Sequence, residues 1–167
     1  KNVNGRWKKV GYSTTVKPDK YDSIVLYGLE AGKYRLALKT PKDQIINVEY
    51  TRDKSKKKAA YKKSKAINLK SDIDSIYTST EKAARWYKVS VSSTKKRKAV
   101  TLSKDSVGGG FKFRVYQKGK RLKTVRVTKN DKVKTVKLPK KKGTYYVKVT
   151  KLTSKTTGAY YLGTYTY

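Results

Sequence analysis

Gly143-Thr144-Tyr145-Tyr146-Val147-Lys148-Val149 alternates strictly, with Tyr145, Val147 and Val149 on one side of a strand and Thr144, Tyr146 and Lys148 on the other. The first side belongs to a core and the second, with its lysine, to water. After a turn over residues 154–158, Ala159-Tyr160-Tyr161-Leu162-Gly163-Thr164-Tyr165 reads as a further strand, expected to be the antiparallel partner of the first.

Outward from this pair, Gly32-Lys33-Tyr34-Arg35-Leu36-Ala37-Leu38 shows the same pattern, with Tyr34, Leu36 and Leu38 in the places of Tyr145, Val147 and Val149. The preceding pieces also correspond, Asp19-Lys20-Tyr21-Asp22-Ser23-Ile24-Val25-Leu26 lying against Asp131-Lys132-Val133-Lys134-Thr135-Val136-Lys137-Leu138. Residues 1–52 therefore read as a β segment, a partial copy matching the second half of the unit that ends the chain. Within it Asn4-Gly5 is a turn signal. Residues 53–65, which include Lys54-Ser55-Lys56-Lys57-Lys58, have the polarity of a basic linker or exposed loop.

Residues 66–167 carry the remaining strands. Ala66-Ile67-Asn68-Leu69 opens the series, and Thr78-Ser79-Thr80-Glu81 has the order of a capping box and predicts a helical turn at residues 80–84. Trp86-Tyr87-Lys88-Val89-Ser90-Val91 follows with Tyr87, Val89 and Val91 inward. Gly108-Gly109-Gly110, without a following Gly-Lys-Ser/Thr or a helix, reads as a flexible hairpin and not a phosphate loop. The count comes to about eight strands, the number that closes a two-layer β-sandwich. The fold class is thus all-β, an antiparallel, jelly-roll-like sandwich. Because five short strands make a poor core, the N-terminal segment is expected to pack on a neighbour.

Composition bounds the chemistry. The 167 residues carry 44 Lys+Arg against 11 Asp+Glu, a formal charge of +33, which repels itself and attracts polyanions. Cys, Met and His are all absent, as the composition and sequence show, so disulfides, thiolate metal sites and the usual proton shuttle are excluded. No apolar run reaches the roughly 18 residues of a membrane span. A Cys-free, Lys- and Tyr-rich β chain suits an extracellular or cell-surface protein, most naturally of a Gram-positive bacterium, and a start at Lys1 without Met is compatible with a removed leader.

The order of motifs resembles a family. Ala66-Ile67-Asn68-Leu69, Trp86-Tyr87-Lys88-Val89-Ser90-Val91, Phe113-Arg114-Val115-Tyr116, Gly143-Thr144-Tyr145-Tyr146-Val147-Lys148-Val149 and Gly158-Ala159-Tyr160 together resemble the bacterial pre-peptidase C-terminal module over residues 61–167. The resemblance implies a jelly-roll-like sandwich appended to secreted enzymes or surface proteins, with clostridial collagen-binding domains as close relations. Many members carry an Asp-x-Asp before the Trp-Tyr pair. Here Ala83-Ala84-Arg85 stand there, so no calcium role carries over to those positions.

A catalytic inventory is short. Without His or Cys only carboxylates, Lys and Tyr remain for proton transfer, and the expectation is that the chain is not an enzyme and uses no cofactor. Asp72, Asp74 and Glu81 could offer oxygen ligands to a metal, but no Gly-containing ligand loop accompanies them, and turn or cap roles account for them. Binding is better provided for. Trp86 and Lys88 alternate away from the inward residues of their strand, and Arg85, Trp86, Lys88, Tyr146 and Lys148 are the candidate ligand-binding patch should the two strands be neighbours. Eight Arg among the 44 cations leave 36 Lys, a balance unsuited to base readout by the Arg fork, so specific nucleic acid is not the expected partner. The expected function is a non-catalytic, secreted surface or matrix module that adheres to polyanionic cell-wall polymer or host glycan. The alternatives are an assembly protein that self-associates through sheet edges and an accessory domain of an extracellular enzyme.

Overall fold

The computed structural model describes residues 2–8, 33–39, 59–69, 74–78, 84–128, 130–131, 133–154 and 156–167. Eleven strands run through them, and they contain no α-helix. β1 (Asn2–Val3) and β2 (Arg6–Trp7) form a hairpin of their own, and Asn4 and Gly5 hold the two successive positive φ angles, 50° and 79°, of its turn. Asn2 Oδ1 accepts the Gly5 N–H at 3.0 Å, so the Asn-Gly signal is met with its side-chain support.

The other nine strands build two sheets. β3 (Ile67–Asn68), β5 (Arg85–Val91), β7 (Phe111–Gln117), β8 (Lys120–Val127) and β10 (Gly143–Lys151) make a five-stranded sheet in the order β3-β5-β10-β7-β8. β4 (Asp74–Thr78), β6 (Lys98–Gly108), β9 (Val133–Lys137) and β11 (Thr157–Thr166) make a four-stranded sheet in the order β4-β11-β6-β9. All pairs are antiparallel except β3 with β5, which bears out the antiparallel all-β sandwich.

The period-two residues meet between the sheets. Tyr87, Val89, Phe111, Phe113, Val115, Tyr145, Val147 and Val149 come from the five-stranded side, and Val100, Leu102, Tyr160 and Leu162 from the other, all at most 2% exposed. Burying aromatic hydroxyls requires partners. The hydroxyls of Tyr87 and Tyr160 satisfy one another at 2.6 Å, joining the sheets through the middle of the core. Tyr145 donates its hydroxyl to the Lys141 carbonyl at 2.9 Å, and burial pushes its phenol pKa up.

Three expectations need correction. First, β10 and β11 are not partners: β10 lies between β5 and β7, whereas β11 lies between β4 and β6 in the opposite sheet. Alternation told which face of each strand is buried, and both faces are, but against each other across the core. Second, Gly109 and Gly110 form a close-packed corner where the chain leaves one sheet for the other. A Cβ on Gly109, whose φ is +76°, would strike Thr156, and one on Gly110 would strike the Val127 carbonyl; glycine is required there for approach, not for flexibility. Third, residues 33–39 form no strand, and Leu36 and Leu38 are more than half exposed. The Asn2 N–H donates to the Lys33 carbonyl at 3.0 Å, and the segments expected beside residues 33–39 lie outside the described residues.

Part of the expected linker belongs to the sandwich. Ala60 is buried, its carbonyl accepts the Trp86 N–H at 2.8 Å, and a 3-10 turn covers Lys63–Lys65. The helical turn at residues 80–84 falls outside the described residues except for Ala84, and residues 19–26, matched to residues 131–138, lie wholly outside them.

Candidate cationic face of the five-stranded sheet

On the outer side of the five-stranded sheet, ladder register sets side chains in rows. Trp86, Lys148 and Arg114 stand abreast in one row, and Lys88, Tyr146 and Tyr116 in the next. Each aromatic therefore has a cation beside it. Lys112 lies beyond, opposite Arg126 of β8, and Arg121 is opposite Tyr116.

The aromatics are held, not loose. Trp86 and Tyr116 tilt together with ring centroids 5.7 Å apart, while the Lys148 ammonium sits 5.2 Å from the Trp86 ring centre. Lys63, carried over the face by the 3-10 turn, brings its Nζ to 4.6 Å from the Tyr146 ring centre. Trp86, Lys88, Arg114, Tyr116, Tyr146 and Lys148 are all half-buried, since long Lys and Arg stems cover the sheet and keep their charges at the surface.

Charge is divided unequally between the sheets. The strands of the five-stranded sheet contain Arg85, Lys88, Lys112, Arg114, Lys120, Arg121, Lys123, Arg126, Lys148 and Lys151 and neither Asp nor Glu. Those of the four-stranded sheet contain Lys98, Lys104, Lys134 and Lys137 beside Asp74 and Asp105. The outer face of the larger sheet thus presents like charges that no carboxylate of its own strands offsets.

Of the five residues expected from sequence, four come together: Trp86 and Lys148 pair directly, and so do Lys88 and Tyr146. Arg85 does not join them. It pairs with Val149, whose side chain is buried, and so falls on the inward side at the end of β5, because neighbours in a strand point to opposite faces. What covers Trp86 is Tyr116 and Lys148. Sequence reasoning missed Tyr116, Arg114, Lys112 and Lys63. Alternation in Phe111–Gln117 puts the first three on the wet side, but only register makes β7 a neighbour of β10. Of the metal alternative, Asp72 and Glu81 lie outside the described residues and Asp74 is the β4 partner of Leu162; no group of three His, Cys, Asp or Glu that could hold a metal occurs among the described residues.

No protein-family model matches the chain, and no curated protein matches it. Among solved structures it is similar to the pre-peptidase C-terminal domain of a collagenase from Bacillus anthracis, at 17% identity and a TM-score of 0.43, over 67% of this chain and 99% of that one. This is the module family that the motif order resembles. No helix among the described residues is long and apolar enough to cross a membrane.

Proposed function

We propose that the chain is a non-catalytic extracellular module that holds an anionic polymer, a cell-envelope polymer or an acidic glycan, on the outer face of its five-stranded sheet. The observation that carries this is the charge partition: no acid in the strands of one sheet, and on its outward rows Lys88, Lys112, Arg114, Arg121, Arg126 and Lys148 in register with Trp86, Tyr116 and Tyr146. Rows of cations spaced by strand separation, about 4.8 Å, match a flexible chain of repeated anions better than one small ligand. The aromatic rings between them supply stacking surface for sugar or other ring faces. Absence of His and Cys from the sequence supports a binding role over a catalytic one.

The test compares two triple variants of equal charge. Lys88→Gln/Arg114→Gln/Lys148→Gln removes three cations from the face, and Lys140→Gln/Lys141→Gln/Lys142→Gln removes three from an exposed loop. Binding to heparin and to poly(glycerol phosphate) near physiological salt should fall by about tenfold or more in the first and by far less in the second. Equal losses would mean that net charge alone binds the polymer, and the proposed face would then be wrong.

A further inference from the structure

Each sheet ends, on the same flank of the sandwich, in a strand that among the described residues is paired on one side only: β8 for the larger sheet and β9 for the smaller. Between them lies a groove of about 340 Å³. Buried Val115, Val136 and Leu138 form its floor, and exposed Leu122, Lys123 and Lys137 its rim. Leu122 is there because β8 bulges: Val115 pairs with Lys123 and Tyr116 with Arg121, so Leu122 is the extra residue. It is 42% exposed, and Val133 at the start of β9 is 51% exposed.

These features together describe a receiving edge. Unpaired strand edges offer N–H and C=O groups at ladder spacing, which an extended main chain alone can match residue by residue. Alternate side chains of such a chain would drop to the apolar floor, and those between them would meet Lys123 and Lys137. A second copy is a poor occupant, since each copy carries +33 and would bring further lysines to a lysine rim. We propose that this groove binds an extended segment of a partner protein in which apolar and acidic residues alternate. The site is on a different part of the molecule from the cationic sheet face and does not depend on it.

The experiment uses the full chain and synthetic capped peptides of about eight residues: one alternating Val and Glu, one with the same residues in two blocks, so that charge and composition are constant. At physiological salt the alternating peptide should bind about tenfold or more tightly than the blocked one, with amide shifts concentrated in β8 and β9. Leu122→Asp should abolish that preference and leave heparin binding unchanged. If that variant does not fold, Lys123→Glu/Lys137→Glu, which alters only exposed side chains, should lower affinity for the alternating peptide by about tenfold or more. Equal binding of the two peptides, or shifts confined to β5 and β10, would overturn the proposal. So would concentration-dependent dimers abolished by Leu122→Asp, which would identify a second copy as the occupant. Because heparin binding is read separately, failure here leaves the function of the cationic face standing, and the reverse also holds.

Discussion

Gly110→Ala should cost this fold more than any comparable change at an exposed turn. Gly110 lies at the corner between β6 and β7, where its N–H is bonded by Thr156 Oγ1 at 3.2 Å, while its carbonyl accepts from Thr156 Oγ1 at 3.0 Å and from the Leu152 N–H at 2.8 Å. An added Cβ would stand far inside van der Waals contact of the Val127 carbonyl and 3.0 Å from Thr128 Cα. Both obstacles are backbone, and Val127 is locked in the β7–β8 ladder by its pairing with Phe111, so neither can rotate away. Overpacking costs about 1–3 kcal/mol, and immobile neighbours place this case near 3. With unfolding entropy near 2.1 cal/mol/K per residue and a sandwich of about 108 residues, the melting temperature should fall by about 13 °C. Gly119→Ala is the control: φ there is +79° with nothing within 4 Å of the new Cβ, so only left-handed strain of about 1–2 kcal/mol applies. Scanning calorimetry of both variants decides the matter, and a Gly110→Ala loss no larger than that of Gly119→Ala would refute the close-approach account of the glycine run.

Two further outcomes can be measured directly. Asp131 Oδ2 accepts from the Thr128 N–H and hydroxyl at 2.9 and 2.7 Å, and Oδ1 faces Lys134 Nζ at 2.8 Å; that ammonium first, and Thr128 second, hold its carboxyl well below the usual carboxylate range. A depressed folded pKa gives stability that is present above the unfolded value of about 3.9 and lost as pH falls further, so Asp131→Asn should flatten the acid limb of melting temperature against pH, and superimposable profiles would dismiss the role. Trp86→Ala removes a tilted aromatic pair and a cation–π contact worth together about 1–2 kcal/mol; it should weaken heparin binding clearly and stability modestly, whereas unchanged binding in a less stable protein would make Trp86 structural.

Much of the sandwich was legible because three of its central strands, β5, β7 and β10, alternate without a break. Tyr87, Val89 and Val91, Phe111, Phe113 and Val115, and Tyr145, Val147 and Val149 each occupy alternate positions, and all nine are buried. Which strand neighbours which was not legible. β10 and β11 carry equivalent patterns and follow one another closely, yet a period of two fixes only the buried face, and either a hairpin or a crossing between sheets satisfies it. The deciding contact is long-range. Thr156, in the β10–β11 connection, bonds Gly110 in the β6–β7 corner, so two of the places where the chain changes sheets are tied together. Neither a lone Thr nor a run of glycines announces such a partnership. Arg85 was misplaced for a simpler reason: adjacency in sequence to Trp86 was allowed to outweigh the alternation that sends it to the other face.

The cationic face shows how a chain of charge +33 can fold at all. Core positions of the larger sheet hold Val, Phe and Tyr with the neutral Gln117 at one end and no charged residue that is buried, and its cations fall on outward rows, at strand ends or along the β8 edge. There water and salt screen them and their methylene stems still cover apolar surface. That arrangement makes the repulsion tolerable without abolishing it, because Lys148 and Arg114 remain direct ladder neighbours, and like charges in that position destabilise a sheet. A carboxylate opposite either would have relieved the strain, and such residues exist elsewhere, as Asp131 beside Lys134 shows. Rows of cations left unrelieved inside one sheet are accounted for if the compensating charge arrives with a ligand, whose binding to the folded state then adds to stability by mass action.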